Sequence, residues 1–142
     1  MEIKKQILAV IQARMNSTRL PGKVLKKIGD STCIEILLKR LSKSELIDRT
    51  IVVTSTNQYD DILYDKLNKI GVDCFRGEET NVYKRFLDAL KNSEAPVILR
   101  ITADCPLIDP VLVDKIIRDF LSKDVDYVSN VDPPSFPDGM DV

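Results

Sequence analysis

Apolar and polar positions follow two rhythms along the chain. Compact apolar runs at 7–12, 50–54, 72–75, 97–101 and 125–129 read as strands. Between them, apolar residues recur every three or four positions, which predicts helices near 32–43, 58–70, 81–92 and 110–122. Ile34, Leu37, Leu38 and Leu41 fall at i, i+3, i+4 and i+7, a single apolar stripe, and Val113, Ile116, Ile117 and Phe120 repeat it. Start and stop signals agree with these limits. Thr32 and Glu35 have capping-box spacing, Asp109 stands as an N-cap before Pro110, and Gly71 follows the second helix as a C-cap residue. Strands alternating with helices through short links predict an α/β fold with a mostly parallel, doubly wound sheet. No internal repeat, low-complexity tract or linker interrupts it. The exception is the turn-rich stretch 133–139. After it, Met140-Asp141-Val142 reads as the start of a strand, so we expect a shortened domain, a gene fragment or a sheet completed by another chain.

Composition narrows the possible functions. The 142 residues suffice for one domain with a real core. Basic and acidic residues number 21 and 22, a net charge of −1, which argues against a long nucleic acid as the main partner. No apolar run approaches the ~20 residues of a membrane helix, and Met1–Lys5 lacks the architecture of a signal peptide. Cys33, Cys74 and Cys105 are widely spaced, as expected of buried thiols in a cytoplasmic protein. There is no histidine, which excludes a Ser-His-Asp triad, a Cys-His pair and a His-ligated metal.

The candidate chemistry collects after the strands. Residues 13–23 follow the first apolar run and carry Arg14, Arg19 and Lys23 among Asn16, Ser17 and Thr18, with a Pro21-Gly22 turn. Ligands of open α/β sheets bind at strand C-termini, and cations with free backbone N–H groups there suit a polyphosphate. A solvated basic loop is the alternative. The segment is neither a Walker A loop nor a dinucleotide fingerprint. Asp104, after the strand at 97–101, fits one-carboxylate Mg²⁺ binding completed by waters and phosphates, or a turn before Pro106. Asn81 and Arg85 lie one helical turn apart, facing the same crevice or merely starting a helix. Thr54-Ser55-Thr56-Asn57 can read a base or cap the next helix. Asp132, Asp138 and Asp141 offer a second metal ligand or simply form turns.

Three stretches carry a resemblance: residues 11–23 (Ile-Gln-Ala-Arg-Met-Asn-Ser-Thr-Arg-Leu-Pro-Gly-Lys), Arg100 to Asp109, and Phe136 to Val142. Together with Arg76-Gly77-Glu78, Asn81-Val82 and Arg85, they resemble, in order along the whole chain, the cytidylyltransferase family of acylneuraminate and octulosonate cytidylyltransferases. The similarity is greatest to its spore coat polysaccharide branch. The resemblance implies a Rossmann-like, three-layer nucleotidyltransferase fold. It also implies transfer of CMP from CTP to a sugar hydroxyl, with release of pyrophosphate, in surface polysaccharide synthesis. By resemblance, Arg14, Lys23 and Asp104 are catalytic. Arg14, Ser17, Arg19 and Lys23 would hold the triphosphate. Backbone near Ala13 with Thr54 and Ser55 would meet cytosine, and Arg85, Arg100 and Thr102 would complete the nucleotide set. Asp104 would bind Mg²⁺, and Asp138 and Asp141 would lie on the sugar side. Ala103 replaces the Gly usual in this motif. Family members continue beyond this length, with further sugar contacts, a dimerisation element and another metal-binding Asp, so a homodimer is expected of a full-length form. Such chemistry needs positioning and charge neutralisation more than covalent catalysis, so the missing histidine is no obstacle. Two alternatives stand beside it: a nucleotide-binding but inactive fragment, and a nucleotidyltransferase of the same fold that uses another base.

Overall fold

β1 (Ile7–Gln12) is buried along almost its whole length, because both of its faces are covered. The computed structural model describes residues 6–142. Met1–Lys5, read above as a lead-in without signal-peptide character, lie outside the described residues. The remaining elements, in chain order, are β2 (Lys27–Ile28), β3 (Ser31–Thr32), α1 (Cys33–Leu41), β4 (Arg49–Ser55), α2 (Asp61–Lys69), β5 (Cys74–Gly77), α3 (Val82–Leu90), β6 (Val97–Thr102) and α4 (Pro110–Leu121). The main sheet has the order β5-β4-β1-β6, and every pairing in it is parallel. The chain therefore winds outward from β1 through β4 to β5, then crosses back to place β6 on the other side of β1. The winding reverses between β1 and β6, and a right-handed crossover after the reversal must use the opposite face.

The core shows this division. Ile7, Ala9 and Ile11 share one cluster with Ile34 and Leu37 of α1, Leu63 and Leu67 of α2, and Val113 and Ile117 of α4. Leu8 and Val10 point the other way, joining Ile51 and Val53 against Phe86, Ala89 and Leu90 of α3. β6 is covered on one face only: Val97, Leu99 and Ile101 are buried, while Ile98 and Arg100 are exposed. No helix among the described residues is long and apolar enough to cross a membrane.

The helices begin where the capping signals place them. Thr32 and Glu35 form both halves of the capping box, and the Asp109 carboxylate accepts from the Val111 and Leu112 N–H groups. Gly71 takes φ +75° after α2. Three details differ from the periodicity. The segment 58–70 opens with a 3₁₀ turn, Gln58–Asp60, before α2. β5 begins two residues later than expected, because Val72 still closes the end of α2 by donating to the Leu67 carbonyl at 2.9 Å. β2 and β3 form a small antiparallel pair around Gly29-Asp30 that is too short to show a period.

The expected strand at 125–129 does not form. Val125 and Tyr127 are exposed, and β6 has no strand paired on its outer side among the described residues. Alternating apolar residues make a strand only where a ladder and a face to bury exist. The strand start read at 140–142 is corrected too: no ladder forms, and the segment is held by Asn130, whose Nδ2 donates to the Met140 carbonyl at 2.7 Å and whose Oδ1 accepts from Val142 N at 3.0 Å, and by the Ser129 hydroxyl, which donates to the Val142 carbonyl at 3.3 Å.

Candidate active site at the sheet switch point

The loop after β1 is built from backbone hydrogen bonds and one buried carboxylate. Ala13 N–H donates to the Val53 carbonyl at 3.0 Å, carrying the β1–β4 ladder one residue past the strand. Met15 N–H then donates to Asp60 Oδ1 at 2.7 Å. The other oxygen of Asp60 accepts the Ser55 N–H at 3.1 Å and also the Ser55 hydroxyl. Asp60 thus ties the loop after β1 to the loop after β4. The Met15 carbonyl accepts from Ser17 N–H at 3.0 Å and from Gly22 N–H at 2.8 Å, which closes the loop on itself. Gly22 has φ +70°, and a Cβ there would stand 3.3 Å from the Met15 methyl carbon, so glycine suits the position on two counts. Lys23 follows at the start of a 3₁₀ turn, Lys23–Leu25.

Across the crevice, Ala103 N–H donates to the Gln12 carbonyl at 3.0 Å and fixes the loop after β6 beside β1. Asp104 is the next residue. Lys23 Nζ lies 2.8 Å from Asp104 Oδ2, joining two loops 81 residues apart in sequence. The ammonium, first of all, and the Thr102 hydroxyl hold the Asp104 carboxyl below its ordinary range. Oδ1 of Asp104 accepts from the Cys105 thiol at 3.9 Å. Burial pushes that thiol up, and Asp104 and Asp141 push it further. Asp141 is therefore within electrostatic reach of this corner. Asp138 is exposed. Arg100 Nη2 donates to Gln12 Oε1 at 3.0 Å, with its guanidinium 5.9 Å from the centre of the Phe86 ring.

The sequence-derived site residues divide in two. Arg14, Arg19, Lys23, Arg100, Thr102 and Asp104 sit on the loops or strand ends around β1 and β6, and Arg14 and Arg19 are exposed and in no ion pair among the described residues. Ser17 is buried within the first loop. Thr54, Ser55 and Arg85 instead belong to the buried wall beside β4 and β5. The Ser55 hydroxyl is spent on Asp60. Arg85, 1% exposed, donates from Nε to the Glu78 carbonyl at 2.8 Å and from Nη2 to the Glu79 carbonyl at 2.7 Å. Burial lowers its pKa, Asp60 opposes that, and Arg14 adds to it, so the two guanidiniums are electrostatic neighbours. Arg85 Nη1 and Thr54 Oγ1 are buried with no partner among the described residues. Such groups are costly unless something satisfies them.

Two supporting residues escaped the sequence reasoning. Asp60 carries no motif; its only cue is a carboxylate three residues after the cap-forming run 54–57. Arg76, quoted only within the family resemblance, pins the same region: its Nε donates to the Ser55 carbonyl and its Nη2 to the Asn57 carbonyl, each at 2.9 Å, while Nη2 also pairs with Asp61 at 2.7 Å. The neighbouring Cys74 is kept protonated, its pKa pushed up to about 12 by burial.

A sequence model of cytidylyltransferases matches residues 8–135. The chain belongs to the cytidylyltransferase family. Its relatives include an uncharacterised protein of Methanocaldococcus jannaschii, 44% identical over 124 residues, which are 87% of this chain and 51% of that protein. The spore coat polysaccharide biosynthesis protein SpsF of Bacillus subtilis is 39% identical over 132 residues, 90% of this chain and 55% of that one. Among solved structures, a cytidylyltransferase from Leptospira borgpetersenii superposes with a TM-score of 0.86 at 35% identity, over 99% of this chain and 59% of its own. The chain thus spans about half the length of these curated relatives.

Proposed function

We propose that the polypeptide to which these residues belong transfers CMP from CTP to a sugar hydroxyl and releases pyrophosphate. The observation that carries this reading is the Lys23–Asp104 pair, a cation and an ionised carboxylate facing each other across the switch-point crevice. Beside them, Arg14 and Arg19 stand on the loop in no ion pair among the described residues. Ligands of this fold class bind at that point. Arg14, Arg19 and Lys23 neutralise the triphosphate, and the charge that grows on leaving pyrophosphate meets cations already in place. The hydroxyl of a bound sugar attacks the α-phosphorus in line, and the residues contribute by orientation and charge.

Asp104 fits a hard divalent cation. It is held in its ionised form, it already pairs with a cation, and its Oδ1 meets the Cys105 thiol only at 3.9 Å. Among the described residues no three acidic, Cys or His groups converge. Asp104 would therefore hold a metal with one or two carboxylates, the remainder of the shell coming from water and phosphate, as suits Mg²⁺. When bound, Mg²⁺ supplies charge neutralisation at the phosphates. Asp141, near Cys105, is the candidate for the acceptor side, with Asp138 further along the same segment.

Base selection rests on the wall of β4 and α3. With the Ser55 hydroxyl spent, the groups left for cytosine are backbone atoms near Ala13 and the unpartnered Arg85 Nη1 and Thr54 Oγ1. The test is calorimetric titration with CTP, UTP, GTP and ATP in Mg²⁺, followed by a pyrophosphate-release assay on a panel of acidic and neutral sugars. Binding of CTP above the other three is expected. Tighter binding of UTP, GTP or ATP than of CTP would replace cytidylyl transfer with a nucleotidyl transfer of another base. A second reading, nucleotide binding without turnover by these 142 residues alone, is favoured by their spanning about half of the relatives' length. CTP binding with no release for any sugar would select it.

A further inference from the structure

The Lys23–Asp104 pair sets two demands of the site against each other. A metal–triphosphate complex needs a carboxylate for its cation and an ammonium for its phosphates, and here each is bound to the other at 2.8 Å. The side chains are 26% and 39% exposed, so the pair is reachable from solvent and not sealed. An exposed ion pair of this kind holds itself together only weakly. The two ends are unequal. Asp104 directly follows Ala103, whose N–H is bonded to β1, and it has a short side chain. Lys23 reaches across on a flexible four-carbon stem. When the pair opens, the ammonium swings and the carboxylate stays. The other polar groups at this corner are the Thr102 hydroxyl, the Cys105 thiol and the carboxylate of Asp141.

We propose that Lys23 is the resident counter-ion of Asp104, exchanged for a divalent cation only when a polyphosphate takes up the ammonium, so that metal and triphosphate bind as one unit. This rests on the reading of Asp104 as the metal-side group. A divalent ion arriving alone must displace Lys23 and then sit beside it. A free triphosphate arriving alone takes Lys23 and leaves Asp104 facing its own negative charges. The complex of the two satisfies both partners at once. Linkage makes the coupling reciprocal: metal tightens triphosphate by the factor by which triphosphate tightens metal.

Titration with Mn²⁺, followed by the electron paramagnetic resonance signal of the free ion, tests this without turnover and without any nucleotide. Lys23→Met should tighten Mn²⁺ alone by about three- to ten-fold, since it removes a like charge close to the ion. The gain should vanish in Lys23→Met/Asp104→Asn. Lys27→Met, which removes the same charge from the exposed β2, should leave Mn²⁺ affinity unchanged. Inorganic tripolyphosphate, measured against its own Mn²⁺ complex in protein-free titrations, should strengthen Mn²⁺ binding in the wild type, and by a smaller factor in Lys23→Met. Circular dichroism of each variant confirms that it is folded. Unchanged Mn²⁺ affinity in Lys23→Met, or a gain that survives Asp104→Asn, overturns the proposal. Because tripolyphosphate has no base, failure to bind CTP would sink the cytidylyltransferase reading and leave this result standing.

Discussion

At the scale of single residues, the site depends on groups that never touch a ligand. Asp60 is 2% exposed and accepts from Met15 N–H, Ser55 N–H and the Ser55 hydroxyl. Asn in its place keeps one acceptor and turns two amide hydrogens toward existing donors. We expect Asp60→Asn to cost about 2–3 kcal/mol, the penalty for leaving buried donors unmet, with CTP binding weakened because the loop of residues 13–23 loses its tie. Urea unfolding and calorimetry measure both, and a change below 0.5 kcal/mol (about the noise of surface substitutions) would mean the ties are incidental. Gly77 is a second such residue. A Cβ there would lie 2.9 Å from both Arg85 Cγ and Phe75 Cε1. Gly77→Ala should destabilise by about 1–3 kcal/mol through overpacking, and it displaces Arg85 from the wall. Neither residue was legible as a site residue. Asp60 acts through a loop 45 positions earlier, and nothing local in the sequence marks that distance. Arg85 was legible as a basic residue at a helix start, but its burial was not, since a chain pattern does not say which arginine lies under a neighbouring strand.

At the scale of elements, most of what formed was written in period and caps. The Ile34, Leu37, Leu41 stripe is buried, and the capping box of α1 is complete. That box also carries a pH signature. A hydrogen bond from Lys66 and others from Thr32 lower the Glu35 pKa to about 2, from an ordinary 4.5. The folded state binds that proton less readily than the unfolded chain, so the stabilisation is fully present above about pH 4.5 and drains away as pH falls toward 2. The melting temperature of the wild type should therefore drop more between pH 6 and pH 3 than that of Glu35→Gln. Parallel curves for the two proteins would place the acid sensitivity elsewhere. The element that failed, 125–129, failed for a reason outside itself: it has the right residues and no ladder to join.

At the scale of the whole molecule, function depends on the reversal of winding that brings β6 beside β1. That step puts Lys23 and Asp104, 81 residues apart, within 2.8 Å. A ligand spanning the crevice binds only the folded arrangement, so it raises stability by mass action: under the proposed function, Mg²⁺–CTP at 100 times its Kd should add about 2.7 kcal/mol. Thermal denaturation should show this shift. Lys23→Ala and Asp104→Ala should each shrink it, since each removes one end of the bridge to the complex. A shift of wild-type size in both variants would move the nucleotide elsewhere.

The chain's own pattern determined the alternation of strands and helices, the caps, the parallel sheet and the basic loop at the end of β1, because each follows from contacts within a few residues or from a repeated period. Tertiary structure alone decided that Lys23 neutralises Asp104, that Asp60 braces the loop, that Arg85 is walled in, and that 125–129 stays irregular. Those outcomes depend on which distant backbone or side chain arrives as a partner. Burial, pairing and electrostatic neighbourhood are properties of that meeting, and a local pattern cannot encode them.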